Sequence, residues 1–189
     1  NRVKPIGHAH TITQGPFRSG SRPPLAQVLE DKQSGQQFTV IVNHFKSKGG
    51  CPDNGPNANQ NDGQYCWNQQ RLDSAAALIE WVKQNAFPAP VLLGDFNAYY
   101  KEDPVQYIAN HGFSNVSHAD EYSYVFDSQA GALDHVFIDQ GLTDSVKNVQ
   151  HIHYNSDEPT VFSYQDTEYF KVGPYRSSDH DPVFIDVEF

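Results

Sequence analysis

Methionine is absent from all 189 residues. A chain without it has no initiator of its own, so we expect a cut or processed piece of a longer protein. No apolar run approaches the ~20 residues that a membrane-crossing helix needs, and the sequence predicts no membrane span. Basic residues are scarce: 13 Lys and Arg stand against 23 Asp and Glu, a formal net charge of -10. That balance excludes a protein held to nucleic acid by a broad basic surface. It leaves open an enzyme whose carboxylates hold divalent cations, because the cations then bring the positive charge to the site. There is no Cys-x-x-Cys and no His-x-x-x-His pattern, so the nine histidines give little support to a zinc site. A serine hydrolase is poorly supported as well, since no Gly-x-Ser-x-Gly elbow occurs.

What is present reads as one α/β (α+β) domain with a real core. The only cysteines, Cys51 and Cys66, bound a stretch rich in Pro, Gly, Asn and Asp that cannot bury a core. The alternatives are two free thiols or a disulfide closing loop 51–66; a bond would stabilise the fold by ~3 kcal/mol in the chain-entropy model and points to an oxidising compartment. We favour the disulfide. Residues 1–24 have little periodicity and read as loop or edge. Strands are expected at 25–29, 37–45, 90–95, 122–126, 133–138, 146–153 and 183–189, with Gly131 in the turn region between the fourth and fifth. The run 37–45 is apolar and β-branched, as in a strand buried on both faces. Leu72, Ala75, Ala76, Ile79 and Val82 repeat at helical spacing and predict a helix over 71–84, ended by Pro88 and Pro90. A second helix is expected to start with Asp103 as N-cap and Pro104 behind it, to run to about His111, and to be closed by Gly112. Residues 154–178 read as loop. Their aromatics, Tyr154, Phe162, Tyr164, Tyr169 and Phe170, fit a lipid-facing or base-stacking surface or a satellite core, and we expect the last.

Four polar clusters sit at the ends of these apolar strands or within them: Asn43-His44-Phe45-Lys46, Gly94-Asp95-Phe96-Asn97, Leu133-Asp134-His135-Val136 and Ser178-Asp179-His180-Asp181-Pro182. Asp95 and Asn97 put a carboxylate and an amide oxygen on one short bend, which suits a hard cation or a plain Asx turn. An imidazole acting as base or acid needs a carboxylate to fix its tautomer, and an Asp on one strand with a His on another would supply that pair. Arg22, Lys46, Lys48 and Arg176 flank the clusters, as phosphate contacts or as solvated surface charge.

These clusters, with Arg22-Pro23-Pro24-Leu25 ahead of them, stand in the order expected of the endonuclease/exonuclease/phosphatase superfamily, the DNase I-like fold, which the chain resembles over 22–189. The loop 51–66, Ala98-Tyr99-Tyr100-Lys101-Glu102-Asp103-Pro104 and Tyr175-Arg176-Ser177-Ser178-Asp179-His180 look most like its bacterial secreted nucleases. The resemblance implies a two-sheet β-sandwich flanked by helices, with the active site at one rim. It implies catalytic roles for His44, Asp95, Asn97, Asp134 and His180, with His180 the base or acid and Asp134 its orienter. Asp95, Asn97 and Asp179 would hold Mg²⁺, with Ca²⁺ or Mn²⁺ as alternatives, and Arg22, Asn43, Lys46 and Arg176 would contact phosphate or DNA. The implied activity is divalent-metal-dependent phosphodiester hydrolysis by an extracellular nuclease acting on DNA, or alternatively RNA. A phosphatase or phospholipid phosphodiesterase on the same fold is the next reading. Residues 1–21 contain no Glu, whereas the family carries a metal-binding Glu and an Asn before it. The chain 1–189 is therefore expected to be the C-terminal portion of one such domain, short of a metal ligand and inactive alone as a further alternative. Its uncovered sheet would be met by the missing N-terminal half or by self-association.

Overall fold

Thr39-Val40-Ile41-Val42 is β-branched throughout, and a β-branched side chain packs better on a pleated surface than on a helix. The structure, a computed structural model describing residues 2–163, 168–169 and 171–188, places this run in strand β3 (Gln37–His44). The main sheet contains β1 (Val3–Thr11), β2 (Leu25–Asp31), β3, β4 (Pro90–Asp95), β5 (Phe113–Asn115) and a later strand, β8 (Asp134–Asp139). Their order across the sheet is β1-β2-β3-β4-β8-β5. Only β3 and β4 run parallel; the other neighbours are antiparallel. A parallel pair needs a long crossover. The loop from Lys46 and helix α1 (Asn68–Asn85) supply it.

Helix α1 buries Arg71, Ala75, Leu78 and Val82, a stripe at helical spacing that faces the sheet. Together with α2 (Asp103–Ala109) it covers one sheet face, where Leu78, Ile79, Val105 and Ile108 meet Ile41, Leu92 and Phe137. Phe96 stands edge-on to both Phe45 and Phe137, with ring centres 5.0 and 5.1 Å away. The other face is covered over β4 and β8 alone. There Val91, Val136 and Ile138 pack against Val183 and Ile185. The covering layer is an antiparallel pair, β9 (Val146–His151) and β10 (Val183–Val187), and is the whole second sheet of the sandwich among the described residues.

This thin layer corrects one expectation. Strand β3 is not buried on both faces: Thr39, Ile41 and Asn43 are buried, but Val42 is 47% exposed, and Leu25 beside it 52%. The pair β9–β10 does not reach that far, and an open cleft of about 280 Å³ remains between Val40 and Leu93 on one side and Ile185 and Val187 on the other. The opening residues form an edge strand, β1, along β2. Glu102, not Asp103, caps α2; Asp103 is inside the helix, and its carboxylate accepts from the Gln64 and Asn68 amides. Strand β5 has only three residues and carried no periodic signal. The segments at 122–126 and 133–138 are not partners. Instead β6 (Tyr124–Phe126) pairs with β7 (Gln129–Gly131) across a two-residue turn, Asp127-Ser128, and both turn residues have left-handed backbones. Tyr154, Phe162 and Tyr169 are exposed rather than a satellite core. Tyr164, Phe170 and Phe189 lie outside the described residues.

Cys51 and Cys66 are bonded and close the polar loop. The fully buried Arg71 ties that loop to the segment that follows β3: its guanidinium donates to the carbonyls of Cys66, Gln64 and Lys46. Reduction should therefore cost about 3 kcal/mol, which lowers Tm by about 10 °C for a domain of this size. A thermal melt unchanged by reductant would show that the polar contacts order the loop by themselves.

Candidate active site

Strand register lines up three polar side chains at one rim of the sheet. His44 ends β3 and pairs with Asp95 at the end of β4, and Asp95 pairs with Asp134 at the start of β8. Side chains alternate along a strand, so these three share the face of Val42, Leu93 and Val136, opposite the helices. The fourth group arrives from the other layer. A bridge between Tyr124 and His180 fixes the chain just before β10 over this rim. There the His180 Nδ1–H donates to Asp134 Oδ2 at 2.7 Å. His180 Nε2 is 4.0 Å from Asp95 Oδ2, and His44 Nε2 is 3.7 Å from that same oxygen. Oxygen and nitrogen atoms of Asp95, Asp134 and His180 all lie within 4.8 Å of one another.

Local chain geometry holds each piece. Gly94 has φ 124°, and a side chain there would collide with the Asn43 carbonyl, so only glycine lets β3 and β4 close at the rim. Asn97 adopts φ 50°; its backbone N–H donates to Asp95 Oδ1 at 2.7 Å and its amide to Oδ2 at 2.9 Å. The same amide reaches the Phe45 carbonyl at 3.1 Å, so β3 and β4 are tied beyond their ladder. Asp134 accepts from the buried Ser123 hydroxyl at 2.6 Å, and that oxygen accepts in turn from the Leu133 and Asp134 N–H groups. On the far side, Arg22 donates to His44 Nδ1 at 2.6 Å. The same guanidinium nitrogen is 3.3 Å from His44 Nε2, so Arg22 lies against both ring nitrogens.

The charges are crowded. Burial and then the Asp134 charge push the Asp95 carboxyl up to about 7, against the opposing pull of His180 and of the Asn97 N–H. Burial alone would lower His180, but the hydrogen bond and charge of Asp134, with Asp95 and Asp179, raise it to about 9. His44 is lowered by burial and then by Arg22 and His180. Two carboxylates thus meet around one imidazolium, and the charge of Asp179 acts on them from outside that group. Hard oxygen donors under mutual repulsion are the donor set a divalent cation fits.

Several residues expected at the phosphate are turned away from it. Asn43 faces the helices, buried, with its amide on the Ile41 and Leu93 carbonyls, because it has the opposite strand parity to His44. Lys46 Nζ caps the Ser47 and Gly49 carbonyls and sits 4.8 Å over the Trp67 ring. Lys48 is bound to Glu102 at 2.6 Å. Arg176 is buried and donates to the Asn155 carbonyl at 2.7 Å, holding the loop that precedes β10. Asp179 is exposed and outside the tight group, although its charge acts on both Asp95 and His180. His135 points into the core, donates to the Ala98 carbonyl at 2.8 Å, and is pushed down to about 4 by burial.

Other contributors were given no role by the sequence, although Asp181 stands in the fourth polar cluster. Asp181 is buried; it accepts from the backbone of Tyr154, Asn155 and Ser156, from the Ser156 hydroxyl, and from His153. His151 braces the Asp134 carbonyl at 3.0 Å and is itself held by Glu121 at 2.8 Å. Ser123 and Tyr124 belong with them.

A mixed sheet with helices on one face and a thin second sheet on the other is the DNase I-like fold of the endonuclease/exonuclease/phosphatase structures that this chain matches, and the chain adopts it. No family model matches the sequence, and no curated protein matches it. Solved structures match well. A mannosyl-6-phosphatase from Bacteroides thetaiotaomicron is 14% identical, with TM-score 0.63, over 100% of this chain and 68% of that one. An endonuclease/exonuclease/phosphatase protein from Bacteroides vulgatus is 13% identical, with TM-score 0.60, over 99% and 67%. D. rerio TDP2, complexed with a single-strand DNA product, is 13% identical, with TM-score 0.60, over 97% and 68%. The chain spans about half to two thirds the length of such structures, from 51% to 68%.

Proposed function

We propose that this chain carries the catalytic rim of a divalent-cation-dependent phosphodiesterase, a nuclease acting on DNA and secreted by a bacterium. One observation carries the reading: the Nε2 atoms of His180 and His44 converge on Asp95 Oδ2 from 4.0 and 3.7 Å, with Asp134 behind the first and Arg22 against the second. Asp95, Asn97 Oδ1 and Asp179 are the residues that would hold the cation, which supplies Lewis-acid neutralisation of a phosphate oxygen when bound. His180 Nε2–H, charged at neutral pH and kept in orientation by Asp134, donates to a phosphoryl oxygen and is placed to pass a proton to the leaving group. His44 and Arg22 bind the same group from the other side.

The metal-binding Glu and a carboxylate for His44 are proposed to come from sequence outside 1–189. The free face of β2 and β3 supports this reading, because a preceding half-domain, or self-association, would cover it. The bonded Cys51–Cys66 pair suits an extracellular location. No helix among the described residues is long and apolar enough to cross a membrane. The fold itself does not choose between diester and monoester, since a phosphatase and a DNA-bound protein share it. Cleavage of DNA, offered both as plasmid and as single strands, by the protein carrying this chain should vanish with chelator and return with Mg²⁺. Cleavage undiminished by chelator would remove the cation from the reading. Release of phosphate from sugar monophosphates, with DNA untouched, would turn it to a phosphatase.

A further inference from the structure

The catalytic histidine is the inner ring of an aromatic series that leads out of the site. Tyr124 lies 4.7 Å from the His180 ring, tilted by 35°. Phe126 lies 6.3 Å beyond Tyr124 and within 8° of parallel to it. Positions two apart on a strand face the same side, so β6 projects both rings together. The outermost ring is bare: Phe126 is 66% exposed. The platform is also fixed. Phe126 pairs with Gln129 across the tight Asp127-Ser128 turn, and Tyr124 is bridged to His180 itself.

A single exposed phenylalanine is unremarkable on a protein surface. What distinguishes this one is its continuity with the rim. Of the cations that flank the polar clusters, Lys48 is committed to Glu102, Lys46 to backbone carbonyls and Trp67, Arg176 to Asn155, and Arg22 to His44. With a net charge of -10, the protein cannot draw its affinity for a polyanion from counterion release alone. Stacking on aromatic faces is the other source of such affinity and is indifferent to sequence. In a duplex each base is already stacked on its neighbours and has no face to offer.

The geometry points to a base-stacking ladder, Phe126-Tyr124, that takes an unpaired nucleobase next to the phosphodiester at His180, so that the substrate class is single-stranded nucleic acid. This rests on the phosphodiesterase reading and narrows it. The test uses a single-stranded oligonucleotide carrying 2-aminopurine, whose fluorescence is quenched by stacking, bound to the His180→Ala variant so that binding is seen without turnover. Phe126→Leu, which keeps an apolar side chain but loses the ring, should weaken binding about tenfold and relieve the quenching. Phe126→Trp should keep both. Equal binding by the leucine and tryptophan variants would overturn the ladder. Turnover separates the two claims. In the protein with His180 intact, Phe126→Leu should lower the cleavage ratio of normal strands to strands with abasic analogues about tenfold. An unchanged ratio overturns the ladder and leaves the phosphodiesterase reading standing. If no phosphodiester is hydrolysed with any divalent metal while ring-dependent quenching persists, the ladder stands and the phosphodiesterase reading falls.

Discussion

Replacing His180 by alanine should lower kcat for phosphodiester hydrolysis by ~10²-fold or more, with a much smaller change in KM. The imidazole is held for chemistry rather than for packing: it is part-exposed, yet its Nδ1 is fixed at 2.7 Å by Asp134, and Asp134 is fixed by Ser123 and by the brace from His151. Asp134→Asn keeps the shape of that partner but removes the charge that raises His180, so it should approach the alanine variant in effect. Ser123→Ala, which removes one of the bonds to Asp134, should cost less than either. The pH dependence of stability offers a check that needs no substrate. In cation-free protein His180 titrates at about 9, above its ordinary 6.5. Its contribution to stability is full below 6.5 and is lost as pH rises through about 9. The raised Asp95 works in the same direction at lower pH: its proton is held more tightly in the folded state, so that contribution is lost as pH climbs from 3.8 through about 7. In His180→Ala the part of the slope that His180 contributes should vanish, leaving a shallower fall from Asp95, which moves above about 7 because the imidazolium that favours its ionisation is gone. A variant whose stability falls as steeply up to pH 9 as that of the unsubstituted protein would place the titrating group elsewhere, and retained activity would end the assignment.

The parts of the site that were legible in the sequence are those where a polar residue interrupts an apolar strand. Strand β4 was bounded correctly at 90–95 because Pro90 opens it and Gly94-Asp95 closes it. His44, Asp95, Asp134 and His180 were all singled out, and the structure brings them to one rim. What could not be read was the side of the strand. Val40-Ile41-Val42 is apolar at both parities, so nothing local told Asn43 from His44, and only the ladder with β4 shows that one points to the helices and the other to the rim. Arg176 failed for a different reason. Residues 154–178 have no period in the sequence, and Tyr154, Asn155 and Ser177 are held by Asp181 and Asn155, which gather their backbone N–H groups across more than twenty positions. Ser123 and His151 act across 11 and 17 positions of sequence. The β6–β7 hairpin was missed because Asp-Ser occupies a turn that usually announces itself as Asn-Gly.

Gly94→Ala should be the most destabilising single methyl that can be added at this rim, costing about 4 kcal/mol or more, which is the range of a core clash rather than a surface change. The added carbon would stand 2.3 Å from the Asn43 carbonyl oxygen and 3.1 Å from its nitrogen, and every atom it meets is backbone, so no side chain can swing away. Relief requires β3 and β4 to part, and Gly94 is the register partner of Asn43, one step from the pairing of His44 with Asp95. The loss of stability and the loss of the site are therefore one event. Gly112→Ala is the control. Gly112 also has positive φ, at 101°, but nothing lies within 4 Å of the added carbon, so its cost is the backbone strain alone, about 1–3 kcal/mol. For a domain of this length each kcal/mol lowers Tm by about 2–4 °C, and the two variants should melt well apart. Circular dichroism melts of both would settle the matter. Equal midpoints would mean that the strands do not approach closely at Gly94, and a rim that wide would not hold two imidazoles about one carboxylate oxygen.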